Sequence, residues 1–212
     1  MNLFKTRKLI LALMLFVSFA YAQENYFPEH IFYYDKSDLK FSERMNHIVD
    51  NRYSEQLRGM KEPSLLELSK DKSVKCYRFT WLRTFHHPMA FRIEVQKDNT
   101  GILTITENDG TGGSKPGKMN SINTTPISAN EVLQFQQSII QNKFWELPSS
   151  EHSNGRDGAQ WIVEAVEEGK YHLVDRWSPD IGKSLTGRPI KDIAYMLMFN
   201  LGKLKIDKKD IY

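Results

Sequence analysis

The densest gathering of chemically capable side chains lies toward the C-terminal end: Asp157, Glu164, His172, Asp175 and Arg176, with Trp161 and Trp177 among them. A histidine beside a carboxylate can move protons in a hydrolysis, and a guanidinium beside an indole can lie on its face. Residues 159–166 and 170–177 alternate apolar and polar around Glu167-Glu168-Gly169-Lys170, which predicts a hairpin with Glu168-Gly169 as a two-residue turn. That turn sets Glu167 opposite Lys170 and Trp161 opposite Arg176. It also sorts the charged groups, because side chains of a strand alternate between faces. His172 and Arg176 fall on one face with Trp161, Val163 and Val174; Glu164 and Asp175 fall on the other with Ile162, Leu173 and Trp177. The set does not converge on one reacting atom, and a pair of His172 with a carboxylate would need Asp157 to fold back over the first face. Asp157, Trp161, His172, Arg176 and Trp177 are therefore expected as a binding surface. In that expectation Arg176 lies on the Trp161 indole, and polar loops 149–158 and 178–187 emerge at the same end of the hairpin.

Other motifs are weaker. Gly112-Gly113-Ser114-Lys115-Pro116-Gly117-Lys118 has the glycine and lysine spacing of a phosphate-binding loop, but Met119 stands where Ser or Thr would hold magnesium. No helix follows to receive a phosphate at its N-terminus, so a polar hairpin loop is expected. None of His30, His47, His86, His87, His152 and His172 belongs to a His-Glu-x-x-His or similar close ligand set. His86 and His87 are adjacent and would point to opposite faces of a strand, so neither a metal nor any other cofactor is expected. The single cysteine, Cys76, rules out an intrachain disulfide. Its place in the strand-like run 74–81 predicts a buried, inert thiol.

The elements that carry these groups follow from periodicity. Phe41, Met45, Ile48, Val49, Tyr53 and Leu57 form one stripe of an amphipathic helix ending near Gly59, and a second short helix is expected over 65–68. From Val74 the period becomes two. Tyr77, Phe79, Trp81 and Phe85 take one side of a first strand, and 89–95, 102–106 and 121–127 give three more, the first two strands being half-buried. Ser128 and Glu131 form a capping box for a helix with Val132, Phe135, Ile139 and Ile140 inward. Pro189 opens a last helix with Ile190, Ile193, Ala194, Leu197, Leu201 and Leu204 buried. Strands that follow one another without crossover helices predict an α+β fold. Its sheet is an antiparallel one of about five to six strands, with helices on one face, a strand-rich centre, a C-terminal hairpin and a final helix.

Phe144-Trp145-Glu146-Leu147-Pro148, Asp157-Gly158-Ala159-Gln160-Trp161-Ile162-Val163-Glu164 and Tyr171-His172-Leu173-Val174-Asp175-Arg176-Trp177-Ser178-Pro179 resemble the signature of a group of small exported bacterial proteins. The resemblance covers the C-terminal third to half of the chain. It implies bacterial origin and one folded domain, and carries no activity.

Export is also read from the N-terminus. Lys5, Arg7 and Lys8 precede an apolar run over 9–17, and Ala20-Tyr21-Ala22 closes it with small residues for a signal peptidase. The run is far short of the roughly 20 residues that span a bilayer. Residues 1–22 are expected as a cleaved signal peptide, 23–72 as an extended and helical segment serving as subdomain or cover, and 73–212 as the α+β core. Cleavage removes three of 29 Lys+Arg against 26 Asp+Glu, so the mature chain is close to neutral. It lacks the basic footprint of a nucleic-acid binder. The expected function is a periplasmic or secreted, non-catalytic binding domain, sequestering or inhibiting a protein partner. The alternative is a small periplasmic hydrolase using His172 with a nearby carboxylate.

Overall fold

Alternating apolar residues punctuated by turn sequences pair off in chain order, and the sheet follows from that. The computed structural model describes residues 25–32, 37–151, 157–179 and 186–212; the expected signal peptide and His152 lie outside them. Helix α1 spans Leu39–Gly59 and α2 Leu65–Leu68; strands β1 to β4 are Cys76–Arg83, Met89–Val95, Gly101–Asn108 and Met119–Ile127. Then come α3 (Ala129–Gln141), β5 (Ala159–Glu167), β6 (Lys170–Trp177) and α4 (Gly187–Tyr195). The α4 helix continues as a π-helical turn, Met196–Leu201, and a tail over 202–212. All strand pairs are antiparallel, in the spatial order β4-β3-β2-β1-β5-β6. This is the α+β architecture the periodicity predicts. No helix among the described residues is long and apolar enough to cross a membrane.

The hairpin adopts the expected register, with Glu167 paired to Lys170 and Trp161 to Arg176. Glu168 and Gly169 both have positive φ, 52° and 79°, as a two-residue turn matched to strand twist requires. The capping box of α3 is also present: Ser128 Oγ accepts from Glu131 N, and Glu131 Oε2 accepts from Ser128 N at 2.8 Å.

Helices α3 and α4 pack on one face of the sheet, over Tyr77, Phe79, Trp81, Phe91, Ile93, Leu103, Trp161, Val163 and Val174. The N-terminal segment covers the other face, where Tyr26, Phe27, Phe32, Tyr53, Leu57 and Met60 meet Leu82, Ala90, Ile162 and Leu173. With both faces covered, every residue of β1 is buried, which corrects the half-buried reading of that strand. Cys76, fully buried in it, is a free thiol whose pKa burial pushes up to about 12.

Four further expectations are corrected. Phe85 lies beyond the end of β1 in a turn and is 66 % exposed. Ile140 is 71 % exposed, because a helix advances about 100° per residue and Ile139 already takes the inward direction. On α1 the buried side is largely polar: Ser42 and Asn46 are buried and Ile48 is exposed. The lead-in over 25–32 packs there and needs partners for its backbone, and Asn46 Oδ1 accepts from Phe32 N at 2.9 Å. Finally, α4 begins at Gly187, so Pro189 stands inside the first turn rather than opening it.

Candidate functional site

Of the predicted hairpin residues, Trp161 and Arg176 are paired across the hairpin and fully turned inward. Arg176 does not lie on Trp161. Its Nη2 donates to Pro148 O at 2.7 Å and its Nη1 to Asp175 O at 2.7 Å and Ser149 O at 3.4 Å, while Nε donates to Thr186 Oγ1 at 2.8 Å. Glu151 lies 3.4 Å away and also meets Thr186. Buried carbonyls without partners are costly, and they compete successfully with the indole for the guanidinium. Arg176 thus ties the roots of both loops to β6; the centres of those loops, 152–156 and 180–185, lie outside the described residues.

Trp161 is fully buried between Phe79, Trp81 and Tyr195, its Nε1 donating to Tyr212 O at 2.8 Å. His172 donates from Nε2 to Leu147 O at 3.0 Å and packs edge-on to Phe144, with Trp145 alongside. Burial holds its pKa below the ordinary value, partly offset by the carbonyls of Leu147 and Phe144. Trp177 is half-buried against Gly158, where a Cβ would come within 2.8 Å of the ring. Asp157 is exposed at the entry to β5.

On the opposite face the strands carry a polar layer that periodicity missed. Arg78 Nε and Nη2 both donate to Glu164 Oε2, at 2.8 and 2.6 Å, and Nη1 donates to Pro63 O at 2.6 Å. Glu62 joins from the cover, 3.6 Å from Arg78, accepting from Arg92 Nε at 2.8 Å and from Thr106 Oγ1 at 3.2 Å. Tyr171 donates to Glu164 Oε1 at 2.9 Å. Burial pushes the Glu164 carboxyl up and Arg78 pulls it back. Further along, Asp175 accepts from Gln160 Nε2 at 2.7 Å and Tyr53 OH at 3.4 Å, and burial lifts its pKa to about 7. In the sequence, Arg78 and Thr80 between aromatics look like a wet face. The missing signal was Glu62-Pro63, which supplies the partners from outside the strand. Among the described residues, no three His, Cys, Asp or Glu side chains are placed to hold a metal.

The polar glycine-rich loop is likewise structural. Its strands close through Asp109 N to Lys118 O and Gly110 N to Pro116 O, and Gln56 Nε2 of α1 donates to Thr111 O and Ser114 O.

An open concavity lies elsewhere, between α4 with its π-helical extension and the tail. It is a cleft of about 810 Å³ lined by Tyr195, Phe199, Leu204, Ile206 and Ile211, with Lys191, Lys205, Asp207 and Lys208 among the lining side chains. That volume is typical of small-molecule sites. The lone carboxylate of the lining, Asp207, is paired with Lys209 at 3.3 Å. Lys191 Nζ sits 5.3 Å over the Tyr195 ring.

The tail is held where it leaves the cleft. Tyr212 O accepts from the Nε1 atoms of Trp161 and Trp81, at 2.8 and 3.4 Å, and Tyr212 OH lies 2.6 Å from His86 Nδ1. His87 turns instead to Glu107, at 3.0 Å. Sequence periodicity could extend the last helix but could not foresee that the chain after Gly202 runs back to make the second wall. No protein-family model matches this chain, and no curated protein matches it.

Proposed function

We propose that the mature chain is an exported, non-catalytic binding domain, and that the cleft between α4 and the tail takes a small anionic amphiphile. The observation that carries the ligand class is the lining itself: aromatic and aliphatic walls beside Lys205 and Lys208, with the one carboxylate of the lining engaged by Lys209. An apolar chain or ring would displace water from Phe199, Leu204 and Ile206. A carboxylate, sulfonate or phosphate at its head would meet Lys205 and Lys208.

Binding is favoured over hydrolysis because His172, the base that hydrolysis would use, is engaged. The hydrolytic alternative asks His172 to act with a nearby carboxylate, whereas its Nε2 is bound to a carbonyl and its ring packed between aromatics. Glu164 and Asp175 are on the other side of the sheet. Export rests on the leader over 1–22 and on the resemblance to exported bacterial proteins; an intact mass beginning at Gln23 is the expected product of secretion.

The test is calorimetric titration of the mature protein with dodecanoate, and with dodecanol as the uncharged control. Dodecanoate is expected to bind at one site and dodecanol at least tenfold more weakly. Replacing Lys205 and Lys208 together by Ala should weaken dodecanoate about tenfold or more, and Phe199→Ala should weaken both ligands. Equal affinity for the two ligands, or no binding by either, overturns the proposal.

A further inference from the structure

A sheet of six strands has two edges, and this one treats them differently. Along β6 the incoming segment lies beside the strand, Asp175 N donating to Ser149 O at 2.7 Å with a parallel bridge from Ser150 to Asp175. Along β4 no strand is paired on the outer side among the described residues.

The alternation of the sheet sets the direction of the free main-chain groups on β4. Val95 N donates to Lys75 O, toward β1, and Gln96 N donates to Thr100 O. Antiparallel pairs alternate between bonded and non-bonded, so Ile102, Thr104 and Thr106 bond toward β2 and Leu103, Ile105 and Glu107 toward β4. Asn108 N, donating to Pro88 O, keeps the same alternation. The β4 partners of that second set, Thr125, Asn123 and Ser121, therefore bond inward. Ile122, Thr124 and Pro126 turn their main-chain groups outward. Pro126 fits this position, since the N–H it lacks would have had no partner within the sheet.

Open edges of natural sheets usually carry charges, bulges or coverings that prevent pairing. Between Met119 and Ile127 this edge has no charged side chain, Asn120 and residues 122–126 are exposed, and Ile122 is 59 % exposed. The one bulge lies at the far end, beside Glu107 and Asn108.

We propose that β4 pairs with β4 of a second copy of this chain, antiparallel about a two-fold axis, joining the two sheets into one. An axis through Asn123 sets Ile122 of one copy opposite Thr124 of the other, and Asn120 opposite Pro126. The outward N–H and C=O groups of Ile122 and Thr124 are then all matched. A second copy is the occupant because an antiparallel strand is complementary to itself about such an axis. An uncharged edge also opposes no like charges when it meets its own copy. A foreign strand would be selected by charge or by side-chain pockets, and the edge between Met119 and Ile127 has no charge to select with. Strand pairing alone buries little surface, so the dimer is weak, with a dissociation constant on the order of micromolar.

Sedimentation equilibrium of the mature protein from low micromolar to several hundred micromolar tests this. A reversible monomer–dimer equilibrium is expected, and both Ile122→Lys and Thr124→Pro should weaken it at least tenfold while near-ultraviolet circular dichroism stays that of the wild type. Asn123→Cys gives an independent reading. Cys76 is buried and inert, and directly opposed residues of a non-bonded pair have Cα atoms about 4.5 Å apart, within disulfide reach. Mild oxidation should therefore link two copies through residue 123. Monomer mass at every concentration without cross-linking, or a dimer indifferent to both edge substitutions, overturns the proposal.

Discussion

Asp175 shows how much a single buried group can decide. Burial is the main reason its pKa stands near 7 rather than 3.8, and Arg176, Arg52, Gln160 and Tyr53 only partly reverse it. A folded pKa above the unfolded one means that the native protein binds the proton more tightly. The stability this contributes is full below about pH 4 and is lost as pH rises through 7. From this group alone, the unfolding free energy should fall by about 2–3 kcal/mol between pH 5 and pH 8. Urea unfolding of wild type against Asp175→Asn isolates it: the asparagine variant should have the flatter pH profile and be the more stable of the two at pH 8. An unchanged profile would mean that Asp175 is ionised in the folded protein across the range.

At the scale of elements, the C-terminal hairpin was the most legible part, because Glu168-Gly169 and the alternation around it leave one register open. The capping box at Ser128 and the buried strand thiol were equally plain, since each depends on neighbours in sequence. The polar side of α1 was not, because Asn46 is buried only by the lead-in it binds. Nor was the use of Arg176, whose partners Pro148, Ser149 and Thr186 are set by loop closure. That arginine binds the roots of the two loops. Arg176→Ala should take from the Pro148 carbonyl its donor and cost about 1–3 kcal/mol of stability by chemical denaturation. Arg176→Lys should recover only part, since an ammonium cannot reproduce the planar fork. The cleft was illegible for the same kind of reason: Leu204 reads as the end of a helix until the tail doubles back.

For the whole molecule, the sheet separates two unlike interiors. The face under α3 and α4 is aromatic and aliphatic, while the face under the N-terminal cover holds Arg78, Glu164, Arg92 and Asp175. Glu62, the Pro63 carbonyl and Tyr53 reach those groups from the cover, so the cover completes the charge balance of the sheet. Removing one partner of a buried ion pair costs about 3–5 kcal/mol, comparable with the whole stability of a modest domain. A chain starting at Ser73 should therefore lose its near-ultraviolet circular dichroism and bind hydrophobic dye, whereas the chain starting at Gln23 should keep its native spectrum. The tail has a different consequence. Trp81 and Trp161, which share Tyr212 O, have ring centroids 5.6 Å apart inclined at 62°. Indole transition dipoles that close and that inclined mix into an exciton couplet. Because Trp161 also adjoins Tyr195 in the wall of the cleft, occupation of the cleft by the proposed ligand should change that couplet in the near-ultraviolet circular dichroism.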